Sequence, residues 1–347
     1  MSDGLPTPTG APDGMRFSVV ATVRNERDTI APFLDSLLEQ TLRPFEIVIV
    51  DGASTDGTLE VLQRYAAQQG IRVISEPTNI AQGRNLGISH AAGSHIAVTD
   101  AGCRVDRRWL ESLTACFAAD PELDVVAGNF RFETRTPFEE AVVLATFGPN
   151  RDDTDAARYY PSSRSVAFTK SAWAKAGGYP EWLYAAEDTL FNIRLRQVGC
   201  KFAFCRDAVV RWRPRETWRA LARQRFNYSL GNARVGIGTS GYLLNLRVHA
   251  LMALLLLLSP WQPLCLLPAL AVLALHVRRH LWPQAALVTQ GRGAGMRLRV
   301  LAVMEYVRLV GLWGFLRGRW QRFNDAAYIA HLRRYMGVAS VDELDWV

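Results

Sequence analysis

The stretch Glu46-Ile-Val-Ile-Val-Asp51-Gly-Ala-Ser-Thr-Asp56-Gly-Thr58 decides how the chain is read. A short, β-branched run without alternation ends abruptly on a carboxylate, and a turn of small residues then opens a helix. Strands of a parallel sheet are covered on both faces, so they read as continuous apolar runs. Open α/β sheets hold ligands at the carboxyl ends of their strands, which puts Asp51 where a ligand is held. Alone, Asp51 and Asp56 read equally well as caps of a loop and a helix. The flanking segments decide between the two.

Upstream, Phe17–Val23 is a first strand, followed by Arg24-Asn-Glu-Arg-Asp28 and an amphipathic segment through Leu38. Downstream, Asp56–Gln69 is a helix closed by Gly70, and Ile71–Ser75 a third strand. A helix starts at Asn79-Ile-Ala-Gln-Gly-Arg-Asn-Leu-Gly87, and a fourth strand, His95–Thr99, lands on Asp100-Ala-Gly-Cys103. A helix over Trp109–Ala118 and a strand Val125–Phe130 complete the alternation. That order predicts an α/β fold, a parallel sheet with helices on both faces. Arg131–Tyr160 reads as an irregular, loop-rich flank on the acceptor side. Beyond it come a strand at Ser165–Thr169, a turn at Gly177-Gly-Tyr-Pro-Glu181 and a helix from Ala186 through Val198. Strands near Phe202–Phe204 and Ala208–Trp212 precede a helix from about Glu216 to Leu230.

With 347 residues, 49% hydrophobic and 21% charged, the chain has ample material for a core and is not of disordered composition. The net charge of +7 hides an asymmetry: residues from Arg206 onward carry +13 and residues 1–205 carry −6. The basic half also holds the longest apolar run, so an anionic membrane surface is the expected partner rather than nucleic acid. No zinc-finger spacing or RNA-binding signature is present. Five scattered cysteines without a CxxC pair fit reduced thiols. Residues 1–15 read as a disordered tail without the apolar core of a signal peptide.

Between Arg247 and Arg278 lie 30 residues with no formal charge. As one helix they would span roughly 45 Å, against about 30 Å for a hydrocarbon core. Ser259-Pro-Trp-Gln-Pro263 breaks the run near its middle. A membrane hairpin over 242–282 follows, with Arg at both outer ends holding them on the cytoplasmic side. Its arms are short for crossing, so a hairpin that only dips in stays open, as does a buried soluble one. Val300–Phe315, within a basic segment 283–347, carries Glu305 and Arg308 and reads as an interfacial amphipathic helix with Trp313 and Trp320 near its end.

Glu26, Asp51, Asp100 and Asp188 stand at strand ends or at a helix start, and Arg84 just inside another. A nucleotide diphosphate needs acceptors for its base or ribose and positive charge for its phosphates, which a carboxylate-bound divalent metal supplies. Asp100 is placed to ligate such a metal, and Arg84 to assist. Asp188 comes much later, as a base acting on a second substrate would. Glu187 beside it points elsewhere, since helical neighbours diverge by about 100°.

Residues 17–230 resemble a family 2 glycosyltransferase with the GT-A fold, a Rossmann-like nucleotide-diphospho-sugar transferase. The matching pieces are Thr22-Val-Arg-Asn-Glu26, Val50-Asp-Gly-Ala-Ser-Thr-Asp-Gly-Thr58, Gly83-Arg-Asn-Leu-Gly87, Thr99-Asp-Ala-Gly-Cys103, Gly177-Gly-Tyr-Pro180 and Ala186-Glu-Asp188, in the family's order. The resemblance implies a catalytic domain over 16–235, split at residue 130 into a nucleotide-sugar half and an acceptor half. It implies inverting transfer of a sugar from a nucleotide-diphosphate donor to an acceptor hydroxyl. Thr22, Arg24, Glu26, Asp51, Arg84 and Asp100 are then expected to bind the donor, Asp100 to hold Mg²⁺ or Mn²⁺, and Asp188 to act as base. Arg164, Glu181, Trp182 and Glu187 are expected on the acceptor side. The acceptor would be a glycan or lipid-linked glycan of the cell envelope, met at the inner membrane with the catalytic domain facing the cytoplasm.

Two departures stand out. The family commonly carries D-x-D at the fourth strand, whereas Asp100-Ala-Gly102 keeps only the first acid. That opens a catalytically inactive nucleotide-sugar-binding scaffold as an alternative. Gln224-Arg-Phe-Asn-Tyr228 is close to the Q-x-x-R-W of processive synthases but lacks its Arg and Trp, so single transfer is expected over polymerisation. Gly236-Ile-Gly-Thr-Ser-Gly241 matches G-x-G-x-x-G only in spacing, since it follows a helix. Cys103 has no nearby His and reads as a buried thiol.

Overall fold

The structure, a computed structural model, describes residues 14–148 and 159–338. The expected tail therefore lies outside the described residues except for Gly14 and Met15, as do 149–158 of the expected acceptor flank and the last nine positions. The described residues fall into two compact units, 14–133 with 159–213, and 134–148 with 214–338.

In the first unit, β1 (Phe17–Val23), α1 (Ile30–Leu38), β2 (Glu46–Asp51), α2 (Thr58–Gln69), β3 (Arg72–Ser75), α3 (Ile80–His90) and β4 (His95–Asp100) follow the expected alternation. Then come β5 (Cys103–Val105), α4 (Trp109–Ala119) and β6 (Val125–Phe132). Helix α5 (Pro137–Thr146) lies in the second unit. The first resumes with β7 (Val166–Thr169), α6 (Lys170–Ala176), α7 (Glu187–Gln197) and β8 (Phe202–Trp212). All eight strands form one sheet in the order β3-β2-β1-β4-β7-β6-β8-β5.

Alternate residues of β1, β2 and β4 bury on opposite faces. Val19, Ala21, Ile47, Ile49 and Ala97 pack with α1, α2 and α4, while Val20, Val48, Ile96 and Val98 pack with α3, α6 and α7. Two covered faces explain the unbroken apolar runs. The sheet is mixed rather than parallel throughout: β7 runs antiparallel to β4 and β6, and β5 antiparallel to β8. A parallel return needs a crossover of a dozen or more residues, and only Ala101 and Gly102 separate β4 from β5.

The second unit joins α5 to α8 (Trp218–Val235), α9 (Thr239–Leu258), α10 (Leu266–His276), α11 (Trp282–Val288), α12 (Ala294–Asn324) and α13 (Ala326–Met336). Helix α5 corrects the irregular reading of Arg131–Tyr160. Thr136 accepts from the Glu139 amide while Glu139 reaches back to the Thr136 amide, with Pro137 at the first helical position. The other expected catalytic-half element found here is α8. The chain breaks between α9 and α10 where Ser259–Gln262 predicts, but the arms are longer than expected: 20 residues for α9 and 26 for the helical run Pro263–Val288. Both are long and apolar enough to cross a membrane, and no residue of α9 is buried inside the molecule. Together they fit a membrane-associated region.

Helix α12 is 31 residues long and is more than an interfacial helix. Val300, Val303 and Met304 bury with Leu221 and α5 in a shared core. A Cβ at Gly314 would stand 2.4 Å from the Phe226 carbonyl oxygen, so the α8 and α12 backbones approach as only glycine permits. Its other face leaves Trp313 and Trp320 65% exposed.

Candidate active site

The carboxyl ends of β3, β2, β1 and β4 line up. Ser75 pairs with Asp51, Asp51 with Val23, Thr22 with Val50, and Thr22 with Asp100. At about 4.8 Å per strand, Asp51 and Asp100 flank the end of β1 roughly 10 Å apart. Asp51 is fully buried, and its carboxylate accepts from the Ser75 hydroxyl (2.9 Å) and the Ser54 amide (3.2 and 3.3 Å to its two oxygens). The Ser54 turn covers that carboxylate.

That turn is laced to the one after β1. The Asn25 amide donates to Ser54 Oγ, the Thr55 amide to Asn25 Oδ1, the Arg27 amide to Asp56 Oδ2 and the Glu26 amide to Thr58 Oγ1. Asn25 and Ala53 are left-handed, with φ of 56° and 59°. With Ala186 they are the only non-glycine residues of that kind among those described, and all three border the site. Such positions persist where surrounding bonds hold them. Thr22 and Glu26 are half-buried and Arg24 is exposed; the Glu26 carboxylate accepts from the Thr29 hydroxyl.

Helix α3 carries the wiring. Asn79 and Gln82 form a capping box at its start. Gly87 lets it lie on the sheet, since a Cβ there would meet Val20 Cγ1 at 2.6 Å. Arg84, only 2% exposed, places Nη2 2.8 Å from Asp100 Oδ1 and Nη1 2.8 Å from Glu187 Oε1. Its guanidinium lies 5.3 Å from the Tyr179 ring, and the Tyr179 hydroxyl is 3.0 Å from Ser163 Oγ. The next residue, Asn85, accepts from the Tyr179 amide and Trp173 Nε1 and donates to the Tyr179 carbonyl and Glu181 Oε1. It pins the Gly177–Glu181 turn.

Arg84, expected on the donor side, is a buried clamp between Asp100 and Glu187. Glu187, expected on the acceptor side, diverges from Asp188 and turns inward to Arg84. The cause is Ala186, at φ 65°, which starts α7 so that Glu187 and Asp188 share its first turn, Glu187 buried and Asp188 half-exposed. Asp188 Oδ1 accepts from the Thr189 amide. Burial and the Asp188 carboxylate push Glu187 up to about 7, against the pull of Arg84. Burial would also raise Asp100, but Arg84 and Arg164 outweigh it and hold that carboxyl below the usual range. For Arg84, burial favours loss of the proton, and Asp100 and Glu187 more than reverse that, so it stays charged.

Asp100 keeps 27% of its side chain exposed, and a Cβ at Gly102 would stand in open space. Magnesium and manganese take most of their ligands from water and substrate phosphates, so a single accessible carboxylate with room beside it fits such an ion. Arg164, expected on the acceptor side, lies in the field of Asp100. It donates to Ser162 Oγ, and its guanidinium stands 4.1 Å from the Trp212 ring. Glu181 bonds α3 through Asn85, and Trp182 is half-buried. Burial pushes the Cys103 thiol up to about 12, which leaves it inert. Asn85, Tyr179 and Ser75 were missed as site residues; Asn85 and Tyr179 stand inside quoted motifs, whereas Ser75 carried no local signal.

The family model described as "Glycosyl transferase family 2" matches residues 18–172. Glycosyltransferase AglE of Haloferax volcanii is 25% identical over 63% of this chain and 73% of its own length. The O-antigen chain rhamnosyltransferase RfbN of Salmonella typhimurium is 23% identical over 58% and 69%. Among solved structures, a mannosyltransferase from Pyrobaculum calidifontis in complex with GDP-Man and Mn²⁺ shares the fold. Its TM-score is 0.53 at 22% identity, over 93% of this chain and 90% of that one. Strand ends that gather Thr22, Asp51 and Asp100, with Glu187-Asp188 joined to Asp100 through Arg84, carry that family's motifs on a GT-A fold. Over residues 18–172 the chain matches the family 2 glycosyltransferases.

Proposed function

We propose that the protein transfers one sugar, with inversion, from a nucleotide-diphosphate donor to a hydroxyl of a lipid-linked or cell-envelope glycan. The observation that carries this reading is the Arg84 clamp. One guanidinium holds Asp100 and Glu187, so Asp188, next in the same helical turn, stands by the acid that would face the donor's diphosphate. Asp188 takes the acceptor's proton as its oxygen attacks the anomeric carbon; the bond from that carbon to the phosphate oxygen breaks, and the nucleoside diphosphate leaves. Attack opposite the leaving group inverts the anomeric centre.

Thr22, Arg24 and Glu26 line the donor side, and Asp51 meets the nucleoside once the Ser54 turn moves. Asp100 would hold Mg²⁺ or Mn²⁺, which when bound supplies positive charge to the leaving diphosphate. With Arg84 buried, Arg164 is the cation that adds to this field. Glu181 and Trp182, on the turn pinned by Asn85, face the acceptor. The two apolar helical runs, Thr239–Leu258 and Pro263–Val288, support a membrane-associated enzyme, and its setting is the inner membrane with the catalytic unit in the cytoplasm. Full chain in detergent, given candidate donors and a lipid-linked glycan, should yield a product whose anomeric configuration is opposite to the donor's by NMR. A retained configuration removes Asp188 as the base of a single displacement.

A further inference from the structure

Three helices of the second unit bring together residues that sugar transfer does not use: His249 from α9, His276 from α10 and Glu305 from α12. Their ligand atoms all lie within 4.8 Å of one another. His249 Nε2 is 2.7 Å from Glu305 Oε1, and His276 Nε2 is 3.1 Å from Oε2, so both imidazoles converge on one carboxylate.

The contacts of this cluster call for a proton or a metal ion between ring and carboxyl. His249 Nδ1 is 2.7 Å from the Asn245 carbonyl oxygen. A carbonyl only accepts, so Nδ1 carries the proton. In the neutral ring Nε2 is then a bare lone pair, and at 2.7 Å it faces the lone pairs of a carboxylate. Only a proton or a metal ion between them makes that approach favourable: a proton on the ring, a proton on the carboxyl, or a metal. The surroundings sharpen the need, because α9 and α10 carry no formal charge between Arg247 and Arg278. A carboxylate among apolar helices is costly without a partner. Arg308, one turn along α12, donates to Gln284 instead.

We propose that His249, His276 and Glu305 bind a divalent transition metal of the zinc class, tying α9, α10 and α12 together. Zinc accepts two imidazoles and a carboxylate, with a fourth position open. Ligand atoms of a tetrahedral zinc stand roughly 3.3 Å apart, so the side chains reach that arrangement by small rotations. The Asn245 carbonyl already plays the outer part usual for a ligating histidine: it takes the Nδ1 proton and fixes Nε2 as the ligand. Imidazole ligands also separate this site chemically from Asp100, whose lone carboxylate suits magnesium or manganese.

The test uses the full chain in detergent with Asp100→Asn, which removes the other expected metal ligand. After chelation and addition of zinc, gel filtration should leave about one zinc per chain, and cobalt in its place should give the visible absorption of a tetrahedral centre. His249→Gln with His276→Gln should lower zinc affinity by at least about a hundredfold, while an unchanged circular-dichroism spectrum and a single gel-filtration peak report that the variant is folded. Because those variants can misfold, X-ray absorption on the zinc-loaded Asp100→Asn chain gives an independent answer: two imidazoles and one carboxylate around the metal. No retained zinc, a shell without imidazole, or equal retention by a folded double variant overturns the proposal and leaves a proton between His249 and Glu305 in place of the metal.

Discussion

Replacing Arg84 by Met keeps most of the side-chain volume and removes the charge that Asp100 and Glu187 share. Two charge-assisted hydrogen bonds at 2.8 Å are lost, each worth about 1.5–3 kcal/mol. Removing one partner of a buried ion pair costs about 3–5 kcal/mol, because the other is left uncompensated. Glu187 escapes part of that by taking a proton, which its upward shift already favours. A loss of about 3–5 kcal/mol is therefore expected. At roughly 2–4 °C per kcal/mol, the midpoint of the catalytic unit falls by roughly 6–20 °C. Differential scanning fluorimetry of the full chain in detergent reads it. The control is Arg84→Met with Glu187→Leu, which removes both buried charges and should recover more than half of the loss. A single variant melting within about 2 °C of the parent, or a double variant that melts lower than the single one, refutes the clamp.

Two further outcomes follow from the same chemistry. Glu187 has its pKa raised on folding, so the native state holds that proton more tightly than the unfolded chain does. Its contribution is complete below about 4.5 and is lost as pH rises through about 7. Stability measured across that window should fall with pH in the parent more steeply than in Glu187→Gln; equal slopes would remove Glu187 as the source. In α9, Leu254 and Leu257 are exposed near the apolar end of the helix. Arginine there costs less than at the centre of a spanning helix, where it costs about 2.5–3.5 kcal/mol per residue, but two together still oppose insertion. Leu254→Arg with Leu257→Arg should shift the full chain out of the membrane fraction on flotation with vesicles, and an unchanged distribution counts against membrane insertion.

The strands that build the donor side were legible because both faces of β1, β2 and β4 are covered, which leaves continuous apolar runs. β5 was not, since Cys103-Arg-Val105 is too short to show a period. α5 was missed although Thr136-Pro-Phe-Glu139 carries the signature of a helix start; the charged and aromatic residues around it masked the cap. Asp51 and Asp100 do end the strands on either side of β1, but the wiring around them lay beyond local pattern. Arg84 and Glu187 are 103 residues apart, and their pairing depends on the left-handed Ala186 that aims the first turn of α7. The burial of Asp51 likewise depends on Ser75, from the neighbouring strand, and on a turn that folds back over it. Helical divergence separated Glu187 from Asp188 as expected; which of the two turns inward is decided by where the helix begins.

Everything proposed for the chemistry converges on Asp188. Asp188→Asn keeps the size of the side chain and the acceptor for the Thr189 amide, and removes the carboxylate charge and with it the ability to take a proton. With donor bound at the parent's affinity by calorimetry, sugar transfer in a single turnover should slow by about 10²–10⁴-fold. Transfer at the parent's rate with the donor equally bound contradicts the account.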